Sequence, residues 1–220
     1  MSAAAAARGT DPLPKATPGA WAGRPPSKKG KRTMPKNPKK TYQLKISLKG
    51  AKPPIWRRFL VDSSMALPEF HGVLQTVMGW DNSHLHQFSA YGESFGIADP
   101  EFDFEGGRDE RKFKVAHLLK NEKDAIVYEY DFGDGWAHKI TLEKILPFDP
   151  KAVLPVCVKA KGACPPEDVG GLWGYYAFLE ALNDPKHPEH DEYKEWVGED
   201  FDPDAYDIDQ VNALLRDYRR

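Results

Sequence analysis

Cysteine is scarce in this 220-residue chain, limited to Cys157 and Cys164. Two thiols in a chain of this length do not make the disulfide framework of a small secreted fold. Free thiols in a reducing compartment are expected, and with them a cytoplasmic address. Long apolar runs are also missing: no stretch approaches the roughly 20 apolar residues that cross a bilayer, so no membrane attachment is expected. The opening Met-Ser and five alanines have no basic segment ahead of a long apolar one, so no ordinary secretory signal is expected. Acidic residues are nearly absent from residues 1–40, where Asp11 stands against ten Lys and Arg. Large apolar residues are as rare there, limited after Met1 to Leu13, Trp21 and Met34. Such a Pro-, Ala- and Lys-rich segment cannot bury enough surface to offset its ordering entropy, and a disordered basic tail over 1–40 is expected.

The remainder, 41–220, reads as one domain with the opposite charge. It carries 21 Lys and Arg against 32 Asp and Glu. An acidic body argues against a duplex-binding face, which leaves the tail as the place for a weak, salt-sensitive nucleic-acid contact.

The segment around which the body is organised is Tyr128-Glu129-Tyr130-Asp131-Phe132-Gly133-Asp134-Gly135-Trp136-Ala137-His138. Two β-prone runs, 125–130 and 136–146, flank Gly133-Asp134-Gly135, whose glycines offer the positive φ angles of a tight reversal. The hairpin brings Asp131, Asp134 and His138 close together. The aspartates can cap the turn's amides, or they can act as ligands.

Upstream, Tyr42, Leu44, Ile46 and Leu48 alternate with polar residues as a half-buried strand does. After Pro53-Pro54, a second strand over 55–61 places Trp56 and Arg58 on one face and Arg57 on the other. An arginine in so apolar a strand calls for a partner, and the hairpin aspartates are the expected ones. From Leu67-Pro68-Glu69 the spacing turns helical, through Phe70, Val73, Leu74, Val77 and Met78 to Gly79. His84, His86 and Phe88 then alternate along an expected strand over 83–91, so two imidazoles share one face and can serve one metal. A long, partly stranded surface excursion over 93–111 and a short helical crossing over 114–119 precede the hairpin.

Downstream, 153–158 reads as a short strand. Cys164-Pro165-Pro166-Glu167-Asp168-Val169-Gly170-Gly171 opens onto a helix over 172–182, placing Glu167 and Asp168 near a helix N-terminus, where negative charge is favoured. Helices over 192–197 and 208–218 close the chain. This order is no βαβ alternation. It predicts an α+β architecture, with helices against a curved, mainly antiparallel sheet.

Pro54-Ile55-Trp56-Arg57-Arg58, Met78-Gly79-Trp80, His84-Leu85-His86-Gln87-Phe88, the hairpin motif and the Cys164–Gly171 segment together resemble the plasmid pRiA ORF-three-like family, over about 41–218. The resemblance implies a roll-like α+β single domain and leaves the activity open. The family is also labelled an insertion-element passenger of the resolvase (TnpR) type. The chain lacks both the early serine with clustered arginines and helix-turn-helix of a serine resolvase and the basic site of a tyrosine recombinase. That label therefore reads as association with mobile elements rather than as chemistry.

Three functions follow as expectations. The first is a non-enzymatic interaction module for a protein partner or small ligand, with a groove shaped by Trp56, Arg57, Arg58, Trp80, Asp131, Asp134, Trp136, Cys164 and Asp168. The second is a divalent-metal-dependent hydrolase or phosphoryl-transfer enzyme drawing ligands from His84, His86, Asp131, Asp134, His138 and Glu167. The third is nucleic-acid binding through the tail.

Overall fold

The computed structural model of the protein describes residues 39–97, 107–198 and 201–218. The basic tail expected to be disordered lies outside the described residues, apart from its last two, and so does the middle of the expected surface excursion.

The alternation upstream of Pro53 builds β1 (Lys40–Leu48), which pairs antiparallel with β2 (Trp56–Asp62). The helical spacing gives α1 (Leu67–Met78), stopped at Gly79 by a left-handed φ of 112° and a hydrogen bond from the Gly79 amide back to the Gln75 carbonyl. Then come β3 (His86–Ala90), β4 (Glu93–Gly96), β5 (Arg108–Asp109), a 3-10 turn at Glu110–Lys112 and α2 (Val115–Leu118). The hairpin follows as β6 (Ala125–Tyr130) and β7 (Trp136–Pro147), and after them β8 (Val156–Lys161). The last elements are α3 (Gly171–Asn183), α4 (His190–Val197), α5 (Ile208–Leu214) and a 3-10 turn at Leu215–Tyr218, which ends the last helix earlier than its spacing predicts.

Among the described residues the strands form one open eight-stranded sheet in the order β5-β4-β3-β6-β7-β1-β2-β8. Every pairing is antiparallel except the short β4–β5 one. The protein is thus α+β. Its core lies between the sheet and α1: Phe70 of the helix packs between Phe59 of β2 and Phe88 of β3, at centroid distances of 6.3 and 5.8 Å. A satellite cluster forms where Phe178 of α3 meets Tyr193, Trp196 and Phe201.

Two expectations are corrected. Arg57 is fully buried on the Phe59 and Val61 face of β2, yet among the described residues no carboxylate pairs with it. Its guanidinium donates to the Val77, Met78, Trp56 and Lys161 carbonyls, at 2.9, 3.3, 3.1 and 2.9 Å, and lies 4.1 Å from the Tyr206 ring. Val77 and Met78 end α1, so the cation satisfies the orphan carbonyls at the negative end of that helix. Arg58, on the other face, makes a two-pronged pair with Glu143 at 2.6 and 2.8 Å, a residue outside the motifs. In the hairpin turn, the positive φ angles fall on Asp131 (54°) and Gly135 (68°) rather than on Gly133. Aspartate tolerates that region because its side chain bonds the local backbone. Here Asp131 Oδ1 accepts the Gly133 amide at 2.9 Å.

Candidate metal centre

β6 ends at Tyr130, and the left-handed turn at Asp131 swings its carboxylate out of the strand direction into a nearly buried position. The Asp131 amide donates to the Leu85 carbonyl at 2.9 Å, which holds the turn against the segment that enters β3. That segment, 80–85, is irregular, so β3 begins later than the alternation predicts and His84 precedes it.

The segment is pinned through its backbone. The Asp81 amide donates to Glu167 Oε1 at 3.1 Å, and the Ser83 amide to the Tyr130 hydroxyl at 3.1 Å. That hydroxyl in turn donates to Glu167 Oε1 at 3.0 Å. Burial pushes the Tyr130 phenol up to about 12 and raises Glu167 above the usual carboxylate range. The Trp80 indole N–H reaches the Pro165 carbonyl at 3.2 Å, so the segment preceding α3 closes over the same corner.

Four side chains from three distant segments converge here. His84 Nε2 stands 3.2 Å from Asp168 Oδ1, 3.8 Å from Asp131 Oδ2 and 3.9 Å from Glu167 Oε2. Ligand atoms of His84, Asp131 and Asp168 all lie within 4.8 Å of one another. His84 Nε2 and Glu167 Oε2 are both buried and have no hydrogen-bond partner among the described residues. Two donors each roughly 2.1 Å from one ion stand about 3.0 Å apart at right angles and about 4.2 Å apart when opposed. The three separations from His84 Nε2 fall inside that span. Asp168, held at a φ of 55°, is 73% exposed along its side chain, so the cluster opens to solvent on its side.

The other expected ligands lie elsewhere. His86 turns to Glu110, with Nε2 3.0 Å from Oε2, and stacks on His71 at 3.4 Å between centroids. His84 and His86 therefore do not act as a pair on one strand, because the chain is still in the irregular segment at position 84. His138 is fully buried, with Nδ1 3.2 Å from the Tyr128 carbonyl and the edge of Trp80 against its ring. Burial pushes it down to about 3. Asp134 Oδ2 accepts the Gly170 amide at 3.1 Å and so caps the approach to α3.

Of the expected groove residues, Trp80 and Trp136 are core, 5.9 Å apart between ring centroids beneath the segment that carries His84. Cys164 packs on that core, where burial pushes its thiol up. Trp56 stays on the outer face of β2 beneath Lys45 and Arg58. Sequence reasoning missed Tyr130 as a functional side chain, since its alternation marks it only as an inward-facing strand residue.

A model of the plasmid pRiA4b ORF-3-like proteins matches residues 40–210. The chain belongs to this family. An uncharacterized relative, y4hQ of Sinorhizobium fredii, is 40% identical over 177 residues, covering 80% of this chain and 90% of its own. The crystal structure of MM3350 from Methanosarcina mazei Go1, a protein of unknown function, superposes with a TM-score of 0.72 at 37% identity. That likeness covers 79% of this chain and 98% of the other. The family thus brings a shared fold and no assigned activity. Among the described residues, no helix is long and apolar enough to cross a membrane.

Proposed function

We propose that this family member is a divalent-metal-binding domain whose ion is held by His84, Asp131 and Asp168, with Glu167 as fourth ligand or as base beside it. The observation that carries this reading is the pair of buried, unpartnered atoms, His84 Nε2 and Glu167 Oε2, facing each other at 3.9 Å among two further carboxylates. A buried polar atom without a partner costs free energy, and like-charged carboxylates repel. A cation between them offsets both costs. One imidazole with carboxylates suits Mn2+, Fe2+ or Zn2+ better than Ca2+ or Cu+.

The exposed Asp168 side leaves coordination positions for water or for a donor from a ligand. Trp173 in the first turn of α3 is 89% exposed and Phe132 in the hairpin turn 42%, so the segments that carry the ligands also present aromatic surface. That combination supports an interaction module in which the ion fixes a partner or small ligand. A hydrolytic reading is favoured by Glu167, whose raised carboxyl beside the ion would accept a proton from bound water.

Metal analysis after dialysis is the test. About one equivalent of Mn, Fe or Zn is expected in the wild type, with His84→Ala and Asp131→Asn each losing it while keeping a cooperative melt. Metal-free wild-type protein that takes up none of these ions would sink the reading. Phosphomonoester turnover by the loaded protein, abolished in Glu167→Gln with metal retained, separates hydrolase from module.

A further inference from the structure

Beneath the segment that carries His84, four side chains close a ring of hydrogen bonds whose direction can be deduced. The Asn82 amide donates to Gln75 Oε1 at 3.1 Å. A backbone N–H can only donate, so that end of Gln75 is its carbonyl and the other end is its NH2. The NH2 donates to the Tyr128 hydroxyl at 2.7 Å. Tyr128 is fully buried, and its hydroxyl has one further partner, His71 Nδ1 at 2.9 Å, to which it must therefore donate. His71 is then neutral with its proton on Nε2, and that proton goes to Asn82 Oδ1 at 2.5 Å. The ring returns to the residue where it began.

Burial and the neighbouring His86 push His71 down to about 3, which agrees with a neutral ring. Asn82 holds a φ of 65°, two residues before His84. Its neighbours are tied in the same manner, since the amides of Asp81 and Ser83 go to Glu167 and Tyr130. Three successive amides are thus taken by three side chains from α1, β6 and the segment before α3. The Asn82–His71 bond uses a side chain of the segment itself to reach α1.

We infer that this ring sets the position of His84, so that His71 and Asn82 are positioning residues of the candidate metal centre although neither reaches it. The consequence for metal affinity rests on the metal-binding reading; the consequence for His84 does not. Removing the Asn82 acceptor leaves the segment held to α1 only by backbone amides, those of Asn82 and Trp80 on Gln75, and opens the ring, which lets the imidazole leave the carboxylates. Outer-shell partners of this kind are worth roughly 10–100-fold in metal affinity.

Asn82→Gly tests this, because glycine keeps the positive φ and the amide and loses only the side-chain acceptor. Asn82→Asp, whose carboxylate can accept the same bond, is the rescue. In full-length protein titrated with Zn2+ against a chromophoric chelator, Asn82→Gly should bind roughly tenfold or more weakly, and Asn82→Asp should return most of the affinity. In metal-free protein, nitrogen-15 spectra should show His71 as the Nε2–H tautomer at pH 7. Nuclear Overhauser contacts between the His84 and Tyr130 rings, whose centroids lie 5.8 Å apart, should be present in wild type and Asn82→Asp and lost in Asn82→Gly. Persistence of those contacts in Asn82→Gly, or an Nδ1–H or doubly protonated His71, overturns the positioning role. A wild type that binds no Zn2+ while the contacts follow the expected pattern overturns the metal reading and leaves the positioning role standing.

Discussion

His71 and His138 are both held neutral in the interior, and each is pushed by burial from the usual 6.5 down to about 3. Between those values the unfolded chain binds a proton at each site that the folded chain refuses, so stability falls as pH drops below 6.5. The limiting slope is about 1.4 kcal/mol per pH unit for each histidine, or about 2.7 for both. Urea denaturation of metal-free protein should therefore show a loss of about 2 kcal/mol or more between pH 6.5 and 5, the two histidines outweighing the single raised carboxyl of Glu167, which works in the opposite direction. Equal stability at the two pH values would mean that both rings take up a second proton in the fold. Arg57 belongs to the same interior. It is kept there by the carbonyls that end α1, which supply partial negative charge without a second ion.

At the scale of elements, the approach of α3 to the hairpin turn decides whether the ligand segments meet. A Cβ on Gly171 would stand 2.5 Å from the Asp134 carbonyl oxygen, and one on Gly174 would run into the Val169 carbonyl, next to Asp168. These glycines let the helix start against the turn. Gly174→Ala should cost about 2–3 kcal/mol through overpacking and should weaken metal uptake by displacing Asp168. Gly135→Ala meets nothing within 4 Å and carries only the strain of its φ of 68°, about 1 kcal/mol. Denaturation curves of the two variants check the order. If Gly174→Ala is no less stable than Gly135→Ala, the lead-in to α3 is free to move and the cluster is not set by that contact.

For the whole molecule, the charge asymmetry separates two parts, and the family match begins at residue 40, beyond most of the basic segment. A chain lacking residues 1–38 should melt at the temperature of the full chain, since that segment is rich in proline and basic residues and carries few large apolar side chains to bury. It should also lose whatever weak affinity for DNA or RNA the full chain shows at low salt, an affinity that should fall steeply as salt rises. A marked drop in melting temperature would make the basic segment part of the fold, and equal nucleic-acid binding by both chains would move the contact into the acidic body.

Local pattern by itself determined the elements. Alternation at Tyr42, Leu44, Ile46 and Leu48, three- and four-residue spacing from Phe70 to Met78, and the stop at Gly79 are short-range signals of backbone geometry, and each corresponds to a strand, helix or cap. The motif residues His84, Asp131, Glu167 and Asp168 were legible as chemistry for the same reason: few side chains of those types sit beside tight turns without a polar task. Only the tertiary structure decided which of them stand together. The start of β3 at His86 rather than before His84 separates two histidines that period two would pair. The partner of Arg57 is a helix end, and carbonyl groups leave no mark in a sequence because every residue carries one. The ring through Gln75, Tyr128, His71 and Asn82 is hidden for a related reason: it joins α1 to β6 through side chains whose spacing along the chain has no period, and only the packing of helix on sheet brings them within bonding distance.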